Sequence, residues 1–189
     1  VWMGYDLWLS RTGYTGEPMA FEIFAHPSDL PGLWKALLEA GKSFGLKPCG
    51  LASRDSLRIE AGLPLYGHEL AGPLNMNPAD AGFAPYVKQY KPGFIGKEAY
   101  IEKGAKRTAR LIRFQLEEER APLLAQNDVI VNRKGRVVGW VTSCSINSDG
   151  RLVGLAFVQE PHHERGTRLG VYRAGKDTWA AEPLQELTF

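Results

Sequence analysis

Apolar and polar residues alternate in two short stretches near the start of the chain, as they do in half-buried β-strands. The stretches cover residues 5–11 (YDLWLSR) and 21–25 (FEIFA), and the glycine-rich segment between them predicts a turn. Apolar residues then recur at helical spacing over residues 29–42, with Ser28 as the predicted N-cap, and again over residues 51–61. This order predicts an α+β layer in which helices cover one face of a sheet.

The pattern changes near residue 108, after a short predicted helix at residues 94–104 that stops at Gly104. Short apolar stretches separated by turn residues follow at 109–117, 128–132, 136–143, 151–158, 167–173 and 178–187. Strands at this regular spacing indicate a small barrel or sandwich. We therefore expect two domains, residues 1–105 and residues 106–189, in an α+β protein whose second domain is a small antiparallel β-barrel.

Composition narrows the class of protein. Hydrophobic residues make up 44% of the 189 residues and charged residues 23%, which is typical of a globular protein. The formal net charge of +2 is too small to indicate a nucleic acid or an anionic membrane as partner. No apolar run approaches the roughly 20 residues that a membrane helix needs. The five tryptophans are scattered, and we expect them in or near the core.

The two cysteines, Cys49 and Cys144, lie far apart in the sequence. They lack the paired spacing that is typical of a disulfide framework or a metal site. We therefore expect buried thiols in a reducing compartment such as the cytoplasm.

Glu22 is a carboxylate inside an otherwise apolar strand, between Phe21 and Ile23. Successive side chains of a strand point to opposite faces, so Glu22 faces away from its two neighbours. In one interpretation Phe21 and Ile23 face the core and Glu22 faces water, since an unpaired buried charge is costly. In the other, Glu22 lies at the mouth of a pocket and accepts paired N–H donors from a heterocycle, such as the edge of a pterin.

Arg54 lies in the second predicted helix, with Asp55 beside it and Arg58 four residues further on. Residues at this spacing share a helix face, so the two guanidinium groups repel modestly unless an anion or an acidic side chain lies between them. Either the face is simply solvated, or Arg54 holds a carboxylate or carbonyl group of a ligand. The sequence shows no accompanying metal cluster, nucleophile motif or phosphate loop, so these residues alone name no reaction.

Six motifs resemble, in order and with matching spacing, the aminomethyltransferase (T-protein) family of the glycine cleavage system and its folate-dependent relatives. They are SRTGYTGE, FEI, GLKPCGLASRDSLRIEAGLPLYGHEL, FIGKEAY, GWVTSCSINSDGRLVGLAFV and ERGTRLGVYRAGK. The resemblance runs from about Ser10 to the end of the chain. It implies a three-domain fold around a tetrahydrofolate cavity, to which this chain contributes the back part of the folate-binding domains and the barrel.

The resemblance also implies a set of site residues. In the family the acid of the F-E-I strand contacts the pterin edge, which corresponds to Glu22, and the first arginine of R-D-S-L-R lies at the folate site, which corresponds to Arg54. Tyr14 is the implied aromatic neighbour of the ligand. The implied cofactor is tetrahydrofolate, the implied donor an aminomethyl group on a lipoyl carrier protein, and the implied location the cytoplasm, or the mitochondrial matrix in a eukaryote.

The chain also departs from the family pattern. GYTGEPMAFEI is one residue longer than the usual GYTGEDGFEI, which changes the surroundings of Tyr14 and leaves the donor open. The alternatives are a folate-dependent demethylase acting on another methyl donor, a non-catalytic folate-binding module, and a barrel-led interaction domain. VKQYKPGFIGKEAY contains no cysteine, which argues against the iron–sulfur-assembly branch of the superfamily.

The first residue is Val1, and the chain opens within a predicted strand, which indicates a processed or truncated protein. In the family the acid assigned to the chemistry lies in the N-terminal half, ahead of every motif found here. We therefore assign no catalytic residue and expect this chain alone to be inactive.

Overall fold

The computed structural model describes residues 1–70, 76–118, 121–173 and 185–188. Contacts along the chain divide it into two compact units, a first unit Val1–Arg58 and a second unit Ile59–Phe189. The domain division expected near residue 105 stays a prediction. In the described ranges, no helix is both long enough and apolar enough to span a membrane.

The first unit consists of a β-hairpin followed by helices. Its elements are β1 (Leu7–Ser10), β2 (Glu22–Ala25), α1 (Leu30–Gly41), a 3-10 turn (Lys42–Phe44) and most of α2 (Leu51–Glu60). The predicted strands and helices are thus confirmed to within a few residues. The predicted cap is wrong, because Asp29 occupies the N-cap position of α1. Ser28 is engaged elsewhere, since its Oγ lies 2.8 Å from Nδ1 of His26.

The inner face of the hairpin borders an apolar cavity. Strands β1 and β2 are antiparallel, and their alternating residues Leu7, Leu9 and Ile23 line a cavity of about 350 Å³ together with Trp2, Phe21, Leu33 and Leu37. Among residues 1–58, all of which the structure describes, Leu33 is the one hydrophobic side chain that is fully buried. The first unit therefore has almost no closed core of its own.

The second unit contains helix α3 (Lys97–Ala105) and a closed barrel. The barrel strands are β3 (Ala109–Leu116), β4 (Val129–Val131), β5 (Val137–Ile146), β6 (Leu152–Gln159), β7 (Leu169–Tyr172) and β8 (Gln185–Thr188). They close in the order β3-β6-β5-β4-β7-β8, with every neighbouring pair antiparallel. This confirms an α+β fold with a small antiparallel barrel. Residues 178–184 of the sixth predicted strand lie outside the described residues.

Two carboxylates, those of Glu60 and Glu69, connect the segment from the end of α2 to residue 69 with the barrel through hydrogen bonds. Glu69 is fully buried, and its Oε2 accepts the backbone N–H of Leu65 at 2.8 Å. Its Oε1 accepts the hydroxyl of Ser143 on β5 at 2.5 Å. At the end of α2, Oε1 of Glu60 accepts the hydroxyl of Ser148 at 2.7 Å. The motif GLPLYGHEL thus has a structural role beside the barrel.

Candidate functional site

Glu22 lies on the outer face of the hairpin, where its carboxylate is held by a neighbouring hydroxyl. Ser10 pairs with Glu22 and Trp8 with Phe24 across the two strands, so these four side chains share one face. Thr12 donates its hydroxyl to Oε2 of Glu22, and the same Thr12 oxygen lies 2.9 Å from Oγ of Ser10. Glu22 is exposed. The result is an oriented, accessible carboxylate.

The same face carries two accessible aromatic rings. Trp8 is 81% exposed and Phe24 is 59% exposed. The expectation that the tryptophans lie in or near the core is therefore wrong for Trp8, because strand alternation places it opposite the face that lines the apolar cavity. It is wrong also for Trp34 of α1, which is 52% exposed. Trp179 lies outside the described residues.

The strand around Glu22 alternates as predicted. Phe21 and Ile23 contribute to the apolar cavity while Glu22 faces away from it. An exposed carboxylate at this position is compatible with a solvated charge and with a ligand contact. The aromatic neighbours and the hydroxyl that orients it are what favour the ligand contact.

The two arginines of α2 differ sharply in their surroundings. Arg58 is 1% exposed, and its Nε lies 2.8 Å from Oδ1 of Asp55. Asp55 therefore pairs with one of the two arginines, Arg58. Arg54 is exposed, and no side-chain hydrogen bond or ion pair joins it to another described residue. Its guanidinium group is accessible to an anionic ligand.

The structure places the three predicted site residues on three different parts of the first unit. Glu22 lies at the start of β2, Arg54 lies on α2, and Tyr14 is half-buried in the turn between β1 and β2. Between Glu22 and Arg54 themselves, both of them described, there is no ion pair. Their joint contact with one ligand stays a prediction.

Two residues of this face, Thr12 and Trp8, were missed by the sequence interpretation. The sequence did contain a signal for Thr12. It follows Ser10 by two residues, and Ser10 pairs with Glu22 across the hairpin, so the hydroxyl of Thr12 comes within reach of the carboxylate.

The described residues also include no group of three His, Cys, Asp or Glu side chains that could hold a metal ion.

Both cysteines are free thiols. Cys49 is exposed, so the expectation of a buried thiol is wrong there, and Cys144 on β5 is half-buried. Burial raises the pKa of the Cys144 thiol, and the negative charge of Asp128 raises this pKa further. Backbone hydrogen bonds from Leu124 and Ser145 offset part of the increase in pKa.

This contrast predicts selective alkylation. Iodoacetamide at mildly alkaline pH is expected to modify the exposed Cys49 at least about tenfold faster than Cys144, because thiolate is the nucleophile and burial both shields Cys144 and raises its pKa. Peptide mass spectrometry over a time course measures both rates. In a Cys49→Ser variant only the slow reaction is expected to remain, and equal rates at the two thiols would contradict the prediction.

Comparisons with known proteins agree with the fold. The family model for the GCVT N-terminal domain matches residues 2–91, and that for the glycine cleavage T-protein C-terminal barrel domain matches residues 110–188. These two models define the glycine cleavage T-protein class. The chain belongs to the aminomethyltransferase family.

Individual relatives support this assignment. An aminomethyltransferase of Streptomyces avermitilis is 44% identical over 169 residues, which cover 87% of this chain and 44% of that protein. One of Halalkalibacterium halodurans is 42% identical over 173 residues, covering 89% and 45%. The crystal structure of glycine cleavage system aminomethyltransferase T from Bartonella henselae matches with a TM-score of 0.80 and 27% identity, covering 97% of this chain and 48% of that one. The chain thus spans less than half the length of the relatives it matches.

Proposed function

We propose that this chain provides the folate-binding, C-terminal portion of a T-protein-type enzyme that transfers an aminomethyl group to tetrahydrofolate. The observation that supports this most directly is the outer face of the hairpin. There the carboxylate of Glu22, oriented by Thr12, stands beside the exposed rings of Trp8 and Phe24. A carboxylate next to aromatic surface suits a planar heterocycle whose edge carries N–H donors.

The residues present fit such a cofactor. Glu22 would accept the paired N–H groups of the pterin edge, and this charge-assisted contact would fix the orientation of the ring. Arg54 would hold an anionic or carbonyl group of the same ligand through its guanidinium fork. Tyr14 would be the aromatic neighbour of the ligand. Tetrahydrofolate, when bound, supplies the nitrogen that accepts the one-carbon unit.

The chemistry needs more polypeptide than this chain contains. The chain covers 44% and 45% of two relatives, and Leu33 is the one fully buried hydrophobic side chain in residues 1–58, all of which are described. Both observations support a larger enzyme in which further polypeptide covers the first unit and supplies the catalytic acid. We expect the isolated chain to show no transfer activity, and full turnover in a methylene-tetrahydrofolate assay would contradict this.

The donor in this proposal is an aminomethyl group on the lipoyl arm of a carrier protein, handled in the cytoplasm. The enzyme's contribution is mainly to hold donor and acceptor in reacting geometry. Electrostatic stabilisation of the developing charge adds to this. The aminomethyl carbon leaves the sulfur of the lipoyl arm, so the products are methylene-tetrahydrofolate, ammonia and the carrier with its lipoyl arm as the free dithiol.

Calorimetric titration with tetrahydrofolate tests the binding residues. Glu22→Ala is expected to weaken binding about tenfold to hundredfold, because a charge-assisted hydrogen bond contributes about 1.5–3 kcal/mol and 1.4 kcal/mol is a factor of ten. Arg54→Ala is expected to have an effect of similar size. Glu39→Ala, an exposed acid on α1, serves as the control. If both site variants bind as tightly as the unmodified chain, the assignment is wrong.

A further inference from the structure

Two turns of the barrel share one backbone scaffold. The turn between β4 and β5 (residues 132–136) reads NRKGR, and the turn between β5 and β6 (residues 147–151) reads NSDGR. In the first, Oδ1 of the asparagine accepts two backbone N–H groups at 3.0 and 3.1 Å. In the second, the equivalent bonds measure 3.1 and 2.8 Å. The glycines adopt matching positive φ angles, 71° for Gly135 and 78° for Gly150.

The conformation of both turns therefore comes from asparagine and glycine, not from the two residues between them. In the second turn these are a serine and an aspartate, and the hydroxyl of Ser148 donates to Glu60 at 2.7 Å. In the first turn they are Arg133 and Lys134, which are both exposed. The fold accepts Ser-Asp in the same backbone, so it does not require these two cations.

The first turn borders a pocket of about 450 Å³, which we call the basic pocket. The loop between β6 and β7 forms its other side. Its cationic lining residues are Arg133, Lys134, Arg136 and Arg168, with His162 beside them. Among the described residues that line it there is no aspartate or glutamate. Nη2 of Arg168 lies 3.7 Å from Oε1 of Glu117, but the two side chains are 50% and 40% exposed, so this pair is weak.

We propose that the basic pocket binds a small anion that carries at least two negative charges, of the phosphate or polycarboxylate class. The whole chain has a net charge of only +2, so four cations around one hollow are a local concentration of charge. Guanidinium forks bind phosphate and carboxylate groups in a bidentate manner. The volume falls within the roughly 300–1,000 Å³ that small-molecule sites occupy. The residues involved are separate from those proposed for folate.

Calorimetry at constant ionic strength tests the proposal, with pyrophosphate, citrate and acetate as probes. We expect pyrophosphate, citrate or both to bind at one site per chain, and acetate to show no binding. Binding of pyrophosphate but not of citrate identifies a site that is selective for phosphate groups. Binding of citrate identifies a site that selects multivalent anions by their charge. Absence of binding by both multivalent anions, or equal binding of acetate, would overturn the proposal.

The decisive variant exchanges the middle of the first turn for that of the second, Arg133→Ser with Lys134→Asp. It is expected to weaken anion binding by about tenfold or more, the effect of losing one charge-assisted contact. Its thermal unfolding is expected to be unchanged, since the sister turn carries the same residues. Arg168→Gln tests the opposite loop independently.

The matched control is Lys42→Ser with Lys47→Asp, two exposed lysines of the first unit that undergo the same change in charge. Its anion affinity is expected to equal that of the unmodified chain. If the control weakens binding as much as the exchanged turn does, the effect is one of overall charge and the basic pocket is not the site. Unchanged affinity in both the exchanged turn and Arg168→Gln would exclude it as well.

Discussion

Replacing Glu69 with alanine is expected to lower the free energy of unfolding of the second unit by about 3–5 kcal/mol. The carboxylate is completely buried and accepts the N–H of Leu65 at 2.8 Å and the hydroxyl of Ser143. Its removal leaves both donors inside the protein without this acceptor, and each unmet donor costs about 1–3 kcal/mol. Urea unfolding followed by circular dichroism measures the loss.

Two variants of the same turn sharpen this test. Glu69→Gln keeps the shape and one acceptor oxygen, so an intermediate loss is expected. His68→Ala changes the exposed neighbour, which takes part in the turn through its backbone N–H, and should leave the unfolding midpoint within experimental error. If Glu69→Ala is as stable as His68→Ala, the buried carboxylate does not fasten this segment to the barrel.

The barrel was the most predictable part of the fold. Its strands are short apolar stretches bounded by strong turn signals such as Gly135 and Gly150, and these signals act locally. The side-chain alternation of β5 was not predictable. A bulge between Val141 and Ser143 shifts the register, so Thr142 and Ser143 are both buried although they are adjacent.

That bulge explains why the role of Glu69 was missed. The hydroxyl of Thr142 donates to the carbonyl of Leu155 at 3.0 Å, and that of Ser143 donates to Glu69. In a regular strand one of these hydroxyls would face the opposite side. A contact between residues 69 and 143 also joins distant parts of the chain, which no local pattern encodes.

The candidate site, like the fold, could be predicted from the sequence only in part. The outward direction of Glu22 follows from strand alternation. The exposure of Arg54 fits both interpretations of the sequence, a solvated helix face and a contact with a ligand. The exposure of Trp8 was missed, because a large aromatic side chain ordinarily indicates burial. Strand alternation puts Trp8 on the same face as Ser10, and the pairing of these two residues with Phe24 and Glu22 confirms that face.

Gly139→Ala is the second change for which a large effect is expected, a loss of about 3 kcal/mol from the stability of the barrel. A Cβ atom at this position would overlap the carbonyl oxygen of Phe157 and lie 3.0 Å from Cα of Val158. Gly139 pairs with Val158 across β5 and β6, so the obstacle is the backbone of the neighbouring strand. Backbone in a closed barrel has little room to move, and the two strands must separate to admit the methyl group.

Gly104→Ala is the matched control, because it adds the same methyl group in helix α3 where, apart from the adjoining backbone of the helix itself, no atom comes within 4 Å of it. Alanine there is expected to raise stability by about 0.5 kcal/mol, since glycine loses more conformational freedom than alanine when a helix forms. Urea unfolding of the two variants should therefore shift the midpoint in opposite directions. If both unfolding midpoints shift in the same direction, the close approach of β5 and β6 is not the reason for glycine at position 139. The register of β5 against β6 would then have to differ.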